Sequence, residues 1–288
     1  MIVVGGVGYS IHKMDGLAFR KSNNLLERGA SPFGWHYFNN ETCLKRYPFG
    51  NDFAHWFCVI SRDENPTLLL FGNSFANQLY PGLANNTNLQ HQTILSIGVC
   101  NAEEPAGEDE PDFVKNPSNP CASANKLRQQ NFIDNIVKQS GSIKFAIVDG
   151  LTTNPSQNYF LRLKNRIDFL ESNNIKVIVF TPHLRFDRDI RACIARVFHA
   201  PENCEMDIGK RTKITDDFAP LIRQLSKSNP NVVYFDQNDL FCDKEKCSAV
   251  RDGMPLYRDS GHISEYGSVE LSKIFVNWAR TNVSQLVR

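Results

Sequence analysis

Residues 67–79 read TLLLFGNSFANQL, a continuous apolar run that closes on Gly72 and passes directly into Asn73, Ser74 and a stretch of helical composition. A run that is apolar at every position, not at alternate ones, suits a strand covered on both faces, as in a parallel sheet. The same form returns downstream as QTILSIG (92–98), IKFAIVDG (143–150), IKVIVFTP (175–182) and NVVYFD (231–236). Between these runs helices are predicted over 74–84, 124–140, 159–173, 213–228 and 265–281; in the third of them Phe160, Leu161, Leu163, Ile167 and Leu170 return at helical spacing. Strand–helix alternation of this kind implies right-handed crossovers and a doubly wound, open parallel sheet in a three-layer α/β domain.

Outward from that core, residues 1–66 are aromatic-rich and irregular: Phe33, Trp35, Tyr37, Phe38, Tyr47, Phe49, Phe53, Trp56 and Phe57 stand among Gly, Asn and Pro. They read as an extension packing on a main domain of residues 67–288. The 288-residue length suits one large domain with such an appendage. Net charge is +1, from 32 basic and 31 acidic residues without a charge block, so nucleic acid and anionic membranes have no electrostatic pull on the chain.

Eight cysteines fall as close neighbours: Cys43 and Cys58, Cys100 and Cys121, Cys193 and Cys204, Cys242 and Cys247. An even set in close pairs reads as disulfides, which persist in oxidising compartments. Zinc is the rival for Cys242 and Cys247, but no second such pair lies nearby to complete four ligands. Two of the pairs sit in the long connections 99–123 and 183–211, which read as stapled surface loops. The start, MIVVGGVGYSIHKMDG, has no basic n-region, and its apolar stretch is far short of the ~18 residues that span a bilayer. The expectation is a domain excised from a longer exported or membrane-anchored protein.

In open parallel sheets ligands bind beyond the carboxyl ends of the strands, so those ends hold the candidates. Gly72 permits a tight strand-to-helix turn that leaves the Ser74 hydroxyl exposed beside unpaired N–H groups, where an oxyanion would be stabilised. The plain alternative is that Ser74 only caps the helix. Just before the last helix comes Tyr257-Arg258-Asp259-Ser260-Gly261-His262-Ile263-Ser264. Asp and His three apart on a turn can face each other, the carboxylate fixing the tautomer while the second ring nitrogen takes a serine proton. A turn-forming Asp beside a surface His is the alternative. His183, next to Pro182 at the same edge, is expected to line an acceptor cleft. His12, His36, His55, His91 and His199 lack a matching partner, and Asp149 suits loop ordering or capping more than catalysis.

With these blocks in view, the chain resembles the SGNH hydrolases: GNSF (72–75) is similar to their serine block and DSGH (259–262) to their Asp-x-x-His block. More narrowly it resembles the extracytoplasmic SGNH domain fused after the membrane domain of acyltransferase family three, bacterial O-acetyltransferases of surface polysaccharides such as lipopolysaccharide O-antigen. LLLFGNSFANQL, the Cys242–Cys247 loop, Leu256-Tyr257, Ile263-Ser264 and Gly267-Ser268 carry that likeness, over about 67–288. The resemblance implies an SGNH/flavodoxin-like fold, Ser74 as nucleophile, His262 as general base then acid, and Asp259 orienting His262. It makes 1–66 the linker to the membrane part and the location periplasmic or extracytoplasmic. Asn73 stands for the family's usual Asp and Phe75 for a common His. The family's Gly and Asn oxyanion blocks are not clearly matched: Gly98 is the candidate glycine, Gly150 and Asn154 lie out of pattern, and the hole is expected to rest on Ser74 and Gly98, with Asn154 as the candidate amide.

The expected function is acetyl transfer through an acyl-serine to a carbohydrate hydroxyl, with no metal or tightly bound cofactor and no nucleic-acid partner. The acetyl donor would be delivered by the fused or adjacent acyltransferase membrane domain. A secreted carbohydrate esterase with water as acceptor is the first rival, and a non-catalytic carbohydrate-binding module the second.

Overall fold

Five of the apolar runs become parallel strands, three of them buried at every position and the two toward the far edge half-buried in part. The structure, a computed structural model, describes Tyr9 and residues 33–48, 56–194 and 200–288. The strands β2 (Leu68–Gly72), β3 (Ile94–Ile97), β4 (Phe145–Asp149), β5 (Lys176–Phe180) and β7 (Val233–Phe235) pair in parallel in the order β3-β2-β4-β5-β7. Alternate side chains leave opposite faces of the sheet. Leu69, Phe71, Leu95, Ala146, Val148, Val177 and Val179 pack against one layer of helices: α4 (Ser123–Ser140), α5 (Gln157–Ser172) and α6 (Ile208–Ser228). Leu68, Leu70, Ile94, Ile147, Ile178, Phe180 and Phe235 face the other way, toward α3 (Tyr80–Ala84) and α7 (Glu265–Asn282). This is the expected three-layer α/β architecture.

The sheet is mixed, however, and not all parallel. Strand β1 (Cys58–Ile60) joins the β3 edge antiparallel, with Val59 opposite Ser96. It comes from the stretch read as irregular; three residues, Cys-Val-Ile, are too short for a periodicity signal. A disulfide, Cys43–Cys58, ties β1 to the short helix α1 (Glu41–Arg46), whose cap residue Asn40 also bonds both the Ile60 carbonyl and the Cys43 N–H.

The helix expected over 74–84 is two helices, α2 (Ser74–Asn77) and α3. Pro81 has no N–H to continue the ladder, and Leu79 instead bonds back to Ala76, which tightens the turn between them. In the other direction, α6 starts at Ile208 inside the connection expected to be loop, because the Asp207 side chain caps it through the Gly209 N–H. The remaining disulfides are Cys100–Cys121, Cys193–Cys204 and Cys242–Cys247, so all eight cysteines pair with their sequence neighbours. Next to the last two, β6 (Glu205–Met206) pairs with β8 (Cys247–Ser248) in a small ribbon.

Candidate active site

Strand β2 lies between β3 and β4, so the chain leaves it in opposite directions on its two sides, and a crevice opens at its carboxyl end. Gly72 makes the exit from β2 feasible: its φ is +147°, and a β-carbon there would lie 2.1 Å from the Asp149 carbonyl oxygen. The helix that follows is capped by Asn73, whose Oδ1 accepts the Phe75 N–H at 2.9 Å. Capping therefore falls to the residue before Ser74, and the Ser74 hydroxyl is left for another partner.

That partner is His262, with Ser74 Oγ 2.8 Å from its Nε2. On the far side of the ring, Nδ1 stands 2.9 Å from Asp259 Oδ2 and 3.1 Å from Oδ1. An ionised carboxylate only accepts, so Nδ1–H donates to Asp259 and Nε2 is left to accept from the serine hydroxyl. Asp259 Oδ1 also accepts the Gly261 and His262 N–H groups, at 2.8 and 2.7 Å. Burial works against the Asp259 charge, but these bonds outweigh it and hold the carboxyl well below the usual carboxylate range. The two blocks are stitched together by Gln78, whose Oε1 accepts the Ile263 N–H at 2.8 Å. Chemically, a hydroxyl, an imidazole and a fixed carboxylate in this sequence can deprotonate the hydroxyl as it attacks a carbonyl.

Rings enclose His262. Phe75 stacks on it with centroids 4.7 Å apart, and Trp35 meets its edge at 5.1 Å. Trp35 is fixed by an N–H bond to Asn77 Oδ1 (2.8 Å), by stacking on Phe57 and by the Arg258 guanidinium 4.4 Å from its centroid. His183 does not line a cleft. It is buried at 5% exposure behind the turn, stacks on Phe241 and donates from Nε2 to the Gly261 carbonyl at 2.8 Å. Burial lowers its pKa to about 4, so it stays neutral and braces the Asp259–His262 turn. Asp149 orders a loop: its Oδ1 accepts from the Gly150 N–H (2.7 Å) and the Gln237 amide (3.0 Å), while full burial pushes its carboxyl up to about 7. His36 pairs with Glu265 and His91 bonds the Gln92 amide. His12, His55 and His199 lie outside the described residues.

Two oxyanion expectations need correction. The Gly98 N–H is already donated to the Phe57 carbonyl at 3.0 Å, taken up where the chain enters the edge strand that the sequence reading lacked. Asn154 is exposed on a bend, its N–H bonded to Thr152 Oγ1, and it does not line the crevice beside the serine. The amide held against the serine block is Asn101, whose Oδ1 accepts from Asn73 Nδ2 at 2.6 Å. Gly150 packs on Asn73 too, its carbonyl accepting from the same Nδ2 at 3.3 Å.

Beside Ser74 a cavity of about 360 Å³ is lined by Asn73, Phe75, Asn101, Lys126, Thr152 and Arg185, among others. Sequence reasoning missed Asn101, Lys126 and Trp35. Lys126 carried a signal: it lies on the face of α4 shared by Gln129, Ile133 and Ile136, an odd place for a lysine.

The family model "SGNH domain (fused to AT3 domains)" matches residues 42–277. Among solved structures, the periplasmic domain of a lipopolysaccharide acetyltransferase from Salmonella ser. Paratyphi A is similar at TM-score 0.56 and 13% identity, covering 91% of this chain and 97% of that one. A putative acylhydrolase from Bacteroides fragilis NCTC 9343 gives TM-score 0.42 and 12% identity, over 86% of this chain and 99% of that one. No curated protein matches the chain.

Proposed function

The chain belongs to the SGNH domains fused to AT3 domains, and from that premise we propose that it carries an acetyl group on Ser74 to a sugar hydroxyl of a bacterial surface polysaccharide. The observation that carries this reading is the hydrogen-bonded chain Ser74 Oγ–His262 Nε2, His262 Nδ1–Asp259 Oδ2, at 2.8 and 2.9 Å, at the crevice beyond β2.

In the first half-reaction Ser74 Oγ attacks the acetyl carbonyl carbon and its proton passes to His262 Nε2. The donor's leaving group departs with that proton, and acetyl-Ser74 remains. In the second, the acceptor hydroxyl attacks the same carbon and gives its proton to His262. The bond to Oγ then breaks, and Oγ recovers the proton. Asp259 keeps the ring in the required tautomer throughout. The developing oxyanion is met by the Ser74 N–H, which has no intrahelical acceptor at the helix start.

Transfer to a glycan, as opposed to hydrolysis, is favoured by the fusion to AT3 domains and by the Salmonella domain's description as a lipopolysaccharide acetyltransferase. An adjacent membrane domain would deliver the acetyl group, and no metal or bound cofactor enters the scheme. An extracytoplasmic location, within a membrane-anchored protein, is supported by four disulfides, which persist in oxidising compartments. Among the described residues no helix is long and apolar enough to cross a membrane.

Incubation with an activated acetyl ester tests the central step. Mass spectrometry should find one acetyl group, on Ser74, and none on the Ser74→Ala protein. An adduct that survives this substitution elsewhere in the site would refute the assignment.

A further inference from the structure

The cavity next to Ser74 is more polar and more strongly built than a passage for an acetyl group requires. Asn73 and Phe75, the two neighbours of Ser74, are part of its lining. In the wall is a nearly buried ion pair, with Lys126 8% and Glu103 3% exposed and Lys126 Nζ 2.7 Å from Glu103 Oε1. A buried ion pair stabilises a fold no better than apolar residues of the same volume, so its presence calls for another account. The ammonium has three donors, and Glu103 takes one of them. Glu103 Oε2 is buried and has no hydrogen-bond partner. Asn101, Ser123 and Thr152 add an amide and two hydroxyls to the lining.

The wall is also held in advance of any ligand. Cys100–Cys121 closes the loop that forms it. From α5, Arg162 bonds the Glu104 carbonyl at 3.3 Å and Asp112 Oδ2 at 2.5 Å, and pairs with Glu110 at 3.3 Å. Charge and polarity narrow the occupant. Lys126, Arg162 and Arg185 are balanced by Glu103, Glu110 and Asp112, so an anion meets no net positive field. An acyl chain would leave the two further donors of the Lys126 ammonium unanswered, and would offer the amide and the hydroxyls nothing beyond the bonds they already make. A sugar residue both donates and accepts through every hydroxyl, and about 360 Å³ lies at the small end of ligand pockets.

We propose that this cavity is the acceptor subsite, which holds a neutral sugar residue by hydrogen bonds from Lys126 and Asn101 and turns one hydroxyl toward Ser74. The assignment rests on Ser74 as the acetyl carrier. Two substitutions probe it from different sides. Lys126→Met keeps the stem and removes the donors; Val114→Trp fills the mouth from a half-exposed loop position and leaves the buried pair intact.

The probe reaction is the protein with 4-nitrophenyl acetate and, as acceptor, the de-O-acetylated surface polysaccharide of its own source. Both variants should raise the acceptor concentration for half-maximal transfer by roughly tenfold or more, the scale of a lost charged hydrogen bond. In Val114→Trp, nitrophenol release without acceptor should change by less than about twofold, since the serine, histidine, aspartate and the buried pair are untouched. Unchanged acceptor dependence in Val114→Trp, or no transfer by the wild type despite ester cleavage, overturns the subsite. Failure of the carrier reading looks different: Ser74→Ala would then release nitrophenol at the wild-type rate.

Discussion

Toward His262, Ser74 meets packed rings: Phe75 stacked on the imidazole, Trp35 at its edge, and His183 bracing the turn from behind. On the side of Asn73 and Asn101 lies an open space of about 360 Å³ whose walls include amides, hydroxyls and a buried ion pair. The two flanks are a few residues apart in sequence at Asn73 and Phe75, yet they are built on opposite rules. Proton transfer between Oγ and Nε2 tolerates little error in distance, and close-packed rings remove the freedom to err. Accepting a ligand requires room and unspent hydrogen-bonding capacity, and a disulfide-closed loop supplies both without collapsing.

The largest expected effect attacks the packed flank. Asp259→Asn should lower acetyl transfer by about 10³- to 10⁴-fold, since an amide no longer fixes the His262 tautomer. The amide oxygen can still accept the Gly261 and His262 N–H groups. Thermal melting should therefore stay near the wild-type value, and activity and melting measured side by side check both halves.

A smaller effect is expected on the open flank. Replacing Cys100 and Cys121 together by serine frees a loop whose ends are 21 residues apart. Stability should fall by roughly 3 kcal/mol, read from denaturant unfolding. Transfer to the polysaccharide should fall about tenfold, while cleavage of a small acetyl ester holds, because only the cavity wall has loosened. Equal losses in both reactions would erase the distinction between the flanks.

Behind both flanks lies Asp149, where only stability should respond. Its carboxyl is raised to about 7 in the fold from an ordinary value near 3.8. The protonated form is favoured by folding, so its contribution is complete below pH ~4 and is lost as pH rises through about 7. Asp149→Asn should remove that loss, and the wild-type-minus-variant difference in unfolding free energy should drift by a few kcal/mol, in order of magnitude, between pH 4 and 8. The smallest effect is Asn154→Ala, which should leave transfer within about twofold of wild type, since this exposed side chain lies outside the cavity.

The division between the flanks also marks what the sequence could reveal. Ser74 and the Asp259–His262 turn were legible because each sits in a short local pattern, a strand ending in glycine and a carboxylate three residues before an imidazole. The strands were legible because Leu68–Leu70 or Val177–Phe180 are apolar without interruption. The cavity was not, because Asn101, Lys126 and Thr152 come from a loop, a helix and a second loop that only the tertiary fold brings together. Gly98 was misassigned for a related reason: whether its N–H is free depends on Phe57, more than forty residues earlier, where β1 begins too briefly to be seen in the pattern. Trp35 belongs to the same class, an aromatic among many whose neighbour His262 lies at the other end of the chain.

The placement of that tryptophan has an optical consequence. The protein has three tryptophans; Trp56 packs on Phe132 and Trp278 on Phe275, while Trp35 sits with its ring at the edge of His262. A protonated imidazole in van der Waals contact quenches indole emission far more than a neutral one. The light emitted by Trp35 therefore carries the charge state of His262, and the site contains its own reporter for each proton that passes through the ring.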